Sequence, residues 1–163
     1  MASHPLDSLT AEEISATSRL LAAEKQIDGA WRYASIILRE PPKTEVKAWR
    51  SGDAIVRRSL SVLWNKQSNE VYEAVVNLSD GALESWEHKP GVTPNFTVDE
   101  YHDCDVALRK NAEVRAALEK RGINPDLVLF DLWTYGNEVM PEQWRDRRLG
   151  WVDIWARASA KGN

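Results

Sequence analysis

A six-residue pattern occurs twice in this chain and constrains its fold more than any other feature. Leu9-Thr10-Ala11-Glu12-Glu13-Ile14 and Phe96-Thr97-Val98-Asp99-Glu100-Tyr101 both read apolar, Thr, any residue, acid, Glu, apolar, 87 positions apart. In each, the Thr hydroxyl can accept from the amide three residues on, while the Glu at that position reaches back to the Thr amide. The flanking apolar pair can clasp the first turn, and the acids suit the positive end of the helix dipole. Two helix starts so far apart predict two successive structural units.

Downstream of the first start, the spacing predicts a helix to about Lys25, broken at Asp28-Gly29, and then strands. Trp31 to Leu38 is aromatic and branched, and Pro41-Pro42 ends it. Ala54 to Trp64 alternates, with Ala54, Val56, Leu60, Val62 and Trp64 expected on the apolar face and Arg57, Ser59 and Ser61 on the other. Asn65 to Asn69 turns into Val71 to Leu78, where Tyr72, Ala74, Val76 and Leu78 share a face, and Ser79-Asp80-Gly81 turns again into Ala82 to His88. The expected first unit is a helix covering one face of a four-stranded antiparallel meander.

Pro90-Gly91-Val92-Thr93-Pro94 disfavours both helix and ladder and marks a boundary, giving expected domains 1–93 and 94–163. In the second, a helix runs from Thr97 to about Lys110. Another follows from Asn111, with Val114, Ala117 and Leu118 on one side and Gly122 as its left-handed stop. Leu127 to Trp133 reads as a strand. Trp144 to Ala158 fits a strand or a short helix, because Trp151, Ile154 and Trp155 are helically spaced. The fold class is therefore α+β, with a second unit that looks incomplete beside the first and leaves an exposed strand edge near the end.

Composition excludes several functions. With 21 Lys+Arg against 25 Asp+Glu the net charge is −4, so the chain lacks the basic face that nucleic-acid binding needs. No apolar run approaches the ~20 residues that cross a bilayer. The start, Met-Ala-Ser-His-Pro-Leu-Asp, has neither basic nor apolar signal character, and Cys104 stands alone, so an intracellular location, cytoplasmic or peroxisomal, is expected. A peroxisomal signal would occupy the C-terminus, and Ala160-Lys161-Gly162-Asn163 is not one.

Catalytic chemistry is equally hard to place. His4, His88 and His102 form no metal-ligand spacing, and His102-Asp103-Cys104 are adjacent helical positions that point in different directions. There is no nucleophile elbow and no phosphate-cradling glycine loop. Asn77-Leu78-Ser79 and Asn95-Phe96-Thr97 match the glycosylation triplet as chance would allow. The eight tryptophans are a real oddity: most are expected in cores, yet Trp133, Trp144, Trp151 and Trp155 gather near the end, where a partner could meet them.

Several segments, in order, carry a resemblance. His4-Pro5-Leu6-Asp7 with Leu9 to Ile14, Leu38-Arg39-Glu40-Pro41-Pro42-Lys43 and Tyr72-Glu73-Ala74-Val75-Val76-Asn77-Leu78 come first. Trp86-Glu87-His88-Lys89-Pro90-Gly91-Val92, Pro94-Asn95-Phe96-Thr97 and Asp126-Leu127-Val128 to Trp133 follow. Together they resemble the start of the copper-containing primary-amine oxidases. The resemblance implies two small cystatin-like α+β domains, N2-like and N3-like, that precede a catalytic β-sandwich, and it prefers a strand near Trp151. It further implies oxidation of primary amines to aldehyde, ammonia and hydrogen peroxide with copper and topaquinone. The family's Asn-Tyr-acid and His-x-His motifs do not occur here, so no cofactor and no catalytic residue is expected in this chain. The implied partners are the catalytic domain of the same polypeptide, a second subunit in a homodimer and a primary amine, with no nucleic acid or membrane. The positions resembling the family's substrate-channel wall are Tyr101, Leu132 and Trp133. The competing expectation is a free-standing cystatin-like binding module without enzymatic activity.

Overall fold

The computed structural model describes residues 3–136, 138–145 and 147–161. The chain divides after Pro94 into two compact units. The first contains helix α1 (Ala11–Lys25), strand β1 (Trp31–Leu38), helix α2 (Lys43–Ala48) and strands β2 (Arg58–Asn65), β3 (Glu70–Asn77) and β4 (Ala82–His88). The second contains α3 (Val98–Lys110), α4 (Ala112–Glu119), β5 (Val128–Thr134) and β6 (Gly150–Ala156), with single 3-10 turns at Pro125–Leu127 and Glu142–Trp144. The α+β class and the antiparallel meander follow the expectation, the four strands being ordered β1-β2-β3-β4.

Both helix starts form as the repeat requires. The Thr10 hydroxyl accepts from the Glu13 amide at 3.2 Å while the Glu13 carboxylate accepts from the Thr10 amide at 2.8 Å. The Glu100 carboxylate accepts from the Thr97 amide at 2.8 Å in the same way. Helix α1 ends on Gln26 in the left-handed conformation, φ 52°. The second unit's helix pair ends on Gly122, whose φ of 70° costs a glycine little.

Up to Leu63 the face assignment of β2 is inverted relative to the expectation, while Trp64 is buried as expected. Ser59, Ser61 and Leu63 are fully buried and Arg57 is 7% exposed, whereas Leu60 and Val62 are only half-buried and Val56 is exposed. Ser59 and Ser61 lie opposite Val76 and Ala74 of β3, on the face that α1 covers. The reason is local chemistry. The hydroxyls of Thr17 and Ser59 are hydrogen-bonded at 2.8 Å, so a polar position is satisfied beneath the helix and its short side chain lets the helix approach. Leu21, Leu63, Ala74 and Val76 form the core, edged by Trp31, Tyr33, Leu83 and Trp86. The strand also starts at Arg58 rather than Ala54, because residues 54–57 form no ladder.

A further difference concerns a helical segment. Helix α2 was not expected, since Pro41-Pro42 read only as a stop, whereas Pro42 sits at the N-cap, where a proline's missing donor costs nothing. Of the two alternatives for 144–158, the strand preferred by the resemblance is the one found, at Gly150–Ala156, so the helical spacing of Trp151, Ile154 and Trp155 is coincidental. Most of the tryptophans also lie outside the cores: Trp64 alone falls among the buried hydrophobics, at 8% exposed.

In the second unit Val128, Phe130 and Leu132 alternate inward. Val128 and Phe130 pack with Leu118, Leu108, Val114, Ile123 and Val152. Arg109 fastens α3 to β5, pairing with Asp105 at 2.8 Å and donating to the Val128 carbonyl at 2.8 Å. Among the described residues no helix is long and apolar enough to cross a membrane.

Candidate functional site

The β5–β6 hairpin presents most of the second unit's exposed apolar surface. Its register places Leu129 opposite Trp155, Asp131 opposite Asp153 and Trp133 opposite Trp151. Alternation turns all six side chains away from the helices. Leu129, Trp133, Trp151 and Trp155 are each 45–58% exposed, well beyond what a closed core leaves open. Beyond Trp133, Tyr135 meets Trp151 edge-to-face, ring centroids 5.4 Å apart. Asp131 and Asp153 have no ion-pair or hydrogen-bond partner among the described residues.

The three residues named from the sequence fall on two sides of this hairpin. Trp133 is half exposed on the outer face. Leu132, its neighbour in the strand, points the other way and is 7% exposed. A Cβ built on Gly150 would lie 2.9 Å from the Leu132 side chain and 2.5 Å from the Phe96 ring, which places Leu132 and Phe96 around the same glycine. Phe96 in turn meets Tyr101 edge-to-face at 6.4 Å, and Tyr101 is 43% exposed on α3. Tyr101, Phe96 and Leu132 therefore form a connected row, and Trp133 stands apart from it.

An ion pair anchors this corner. The Arg148 guanidinium binds both oxygens of Glu100, donates to the Asn95 carbonyl at 3.0 Å and lies 4.5 Å over the Phe96 ring. Burial pushes the Glu100 carboxyl up, but the Arg148 and Thr97 hydrogen bonds outweigh it and hold the group below the ordinary carboxylate range. In the sequence Glu100 reads as a cap residue, and no local pattern signals Arg148, which arrives 48 residues later. Cys104 is half-buried, and burial with the neighbouring Asp105 raises its thiol pKa, the opposite of an activated nucleophile.

The donors that could hold a metal are scattered. His4 packs edge-on against Trp49, His88 lies on Tyr72, and His102 belongs to α3. Among the described residues no group of three His, Cys, Asp or Glu side chains could hold an ion. Of the two glycosylation triplets, Asn77 is 5% exposed and its amide donates to Asp80 and Glu84, while Asn95 is exposed.

Comparison with known proteins places this architecture. Residues 10–86 match the family described as the AGAO-like N2 domain. A primary amine oxidase of Arthrobacter sp. strain P1 is 39% identical over 160 residues, which is 97% of this chain and 24% of that protein. The histamine oxidase of Arthrobacter globiformis is 30% identical over 145 residues, 84% of this chain and 21% of that protein. The peroxisomal copper-containing diamine oxidase 1 of Nicotiana tabacum is 28% identical over 169 residues, 82% and 22% respectively. In fold, the chain is similar to a copper-containing benzylamine oxidase from Hansenula polymorpha, with TM-score 0.67 and 21% identity, covering 98% of this chain and 26% of that one. Over residues 10–86 the chain is thus similar to an N2-type domain of the amine-oxidase kind. The chain is a relative of the copper amine oxidases, matching their N-terminal region, and it spans about a quarter of the length of the curated relatives.

Proposed function

We propose that residues 1–93 and 94–163 serve as the N2-like and N3-like domains of a copper- and topaquinone-dependent primary-amine oxidase, and that the second domain helps wall the path of the amine. Two separate surfaces contribute to it, Tyr101 with Leu132 behind it through Phe96, and Trp133 on the other side of the hairpin, and the aromatic side chains of both stand open. The observation that carries this reading is the colinear match over 97% of the chain to an amine oxidase, combined with large apolar side chains left half exposed at Tyr101 and Trp133. An apolar wall sorts amines by shape and buried area rather than by charge. Copper and quinone, which supply oxidative deamination to aldehyde, ammonia and hydrogen peroxide, belong to the catalytic β-sandwich of the same polypeptide in a homodimer. This chain alone is inactive.

The test is a chimera in which these residues replace the matching segment of the Arthrobacter P1 enzyme. Tyr101→Ala and Trp133→Ala should change kcat/KM for benzylamine relative to methylamine several-fold, with copper and quinone content unchanged. An unaltered ratio in both variants would remove the channel role. Peroxide production from an amine by the 163-residue chain itself would refute its inactivity, and saturable protein binding without any effect in the chimera would favour the free-standing module.

A further inference from the structure

A separate cavity of about 360 Å3 opens at the base of the loop joining β5 to β6, lined by Tyr135, Pro141, Trp144, Arg147, Leu149 and Gly150. Its construction follows from backbone geometry. The Trp144 amide donates to the Pro141 carbonyl at 2.9 Å and the Arg147 amide to the Trp144 carbonyl at 2.9 Å. The two bonds join Pro141, Trp144 and Arg147, and all three line the cavity. Opposite them, the Tyr135 amide donates to the Leu149 carbonyl at 3.1 Å, closing the neck of the loop. Tyr135 is braced by Trp151, and Gly150 contributes no side chain to fill the space.

The walls are therefore two aromatic rings, a proline and a leucine, and the charge among the lining residues is one guanidinium. Arg147 forms no ion pair with any described residue, unlike Arg57, Arg58, Arg109 and Arg148. The volume lies at the lower end of the ~300–1,000 Å3 range of small-molecule sites. A planar fork with free donors, set at the edge of an aromatic slot, matches a carboxylate attached to a flat apolar body. We propose that this cavity binds a small arene carboxylate, its ring between Tyr135 and Trp144 and its carboxylate on Arg147. The site shares no residue with the proposed amine wall, and its charge selects against the ammonium group of an amine.

Calorimetric titration of the 163-residue chain with phenylacetate, its neutral isostere phenylacetamide and benzylamine tests the assignment. Phenylacetate should bind saturably and about tenfold or more tighter than phenylacetamide, the scale of one charge-assisted hydrogen bond. Benzylamine should bind weakest. Arg147→Gln should abolish the preference for the anion, Arg147→Lys should keep part of it, and Trp144→Ala should weaken all three. Arg147 is exposed, so these variants should keep the parent's circular dichroism. Equal binding of acid and amide, tighter binding of the amine, no binding of phenylacetate, or an unchanged preference in Arg147→Gln would each overturn it. Loss of this binding would leave the amine-wall reading intact, because that depends on Tyr101 and Trp133 in the chimera.

Discussion

Arg57 grips both carboxylate oxygens of Glu13, at 2.9 and 3.0 Å, although 44 residues separate them. The same guanidinium donates to the carbonyls of Asp7 and Ser8, just before helix α1, at 2.7 and 3.1 Å. Arg148 does the equivalent for Glu100 and the Asn95 carbonyl. In each unit the helix-capping Glu, already bonded to the N-cap amide, is held from the far side by an arginine that enters the sheet. The repeated helix start is therefore half of a larger repeated device, which fixes helix against strand as well as starting the helix.

Removing the arginine should be costly. Its side chain is 8% exposed and that of Glu13 21%, so Arg57→Met strands a half-buried carboxylate and two carbonyls. The expected loss is about 2–4 kcal/mol. Urea unfolding of the variant should show a lower midpoint with an unchanged slope, and a loss below about 1 kcal/mol would reduce the pair to a surface contact.

The pair also ties stability to acidity. The Arg57 hydrogen bond holds the Glu13 carboxyl below its ordinary value of 4.5, and Glu100 is lowered likewise. For a carboxyl depressed in the folded state, the stabilisation is complete above the unfolded value and is lost as pH falls through the folded one. Urea midpoints should therefore hold between pH 7 and about pH 5 and fall steadily below about pH 4.5. Glu13→Gln should flatten part of that fall; a parallel curve would show that other carboxyls carry it.

Beneath α1 the two buried serines should behave oppositely. Ser59→Ala removes the partner of Thr17 and should cost about 1 kcal/mol. Among the described residues the buried Ser61 hydroxyl has no hydrogen-bond partner, so Ser61→Ala should be neutral or stabilising by up to about 1 kcal/mol. Thermal melts of the two variants in parallel give the comparison. Equal losses would mean that the hydroxyls are equivalent and the Thr17 bond contributes nothing.

Gly150 leaves no room for a methyl group. A Cβ there would lie 2.5 Å from both the Phe96 ring and the Trp133 carbonyl oxygen, and the carbonyl cannot swing aside as a flexible side chain can. Gly150→Ala should cost about 1–3 kcal/mol and loosen the β5–β6 register. Gly29→Ala, with no atom within 4 Å, is the matched control and should be nearly neutral. If the two variants melt together, the packing around Leu132 is looser than the structure shows.

The parts of the fold legible in the sequence are those written in short-range patterns. The capping boxes at Thr10 and Thr97, the turns at Asn65 to Asn69 and Ser79 to Gly81, and the stop at Gly122 each depend on neighbouring residues. The buried face of β2 is not legible in its alternation because hydrophobicity marks the buried side only when polar groups have no partner there, and Thr17 supplies one to Ser59 from 42 residues away. The 144–158 stretch was ambiguous because Trp151, Ile154 and Trp155 satisfy either period. As for the site, Tyr101, Leu132 and Trp133 were nameable from resemblance alone. That Leu132 and Trp133 face opposite ways follows from strand alternation, whereas the cavity of Trp144 and Arg147 depends on a loop conformation that no periodicity encodes.

The aromatic packing in the first unit gives the molecule two optical labels. Tyr72 stacks on Trp86 at 4.8 Å and 20°, and Trp31 meets both edge-on within 5.7 Å, an arrangement that lends near-ultraviolet dichroism to that unit. Trp133, Trp144, Trp151 and Trp155 are 43–58% exposed, so they should emit at longer wavelength and be quenched readily by acrylamide. A single unlabelled sample therefore reports on its two halves through separate signals: rigid chiral coupling in one and solvent contact in the other.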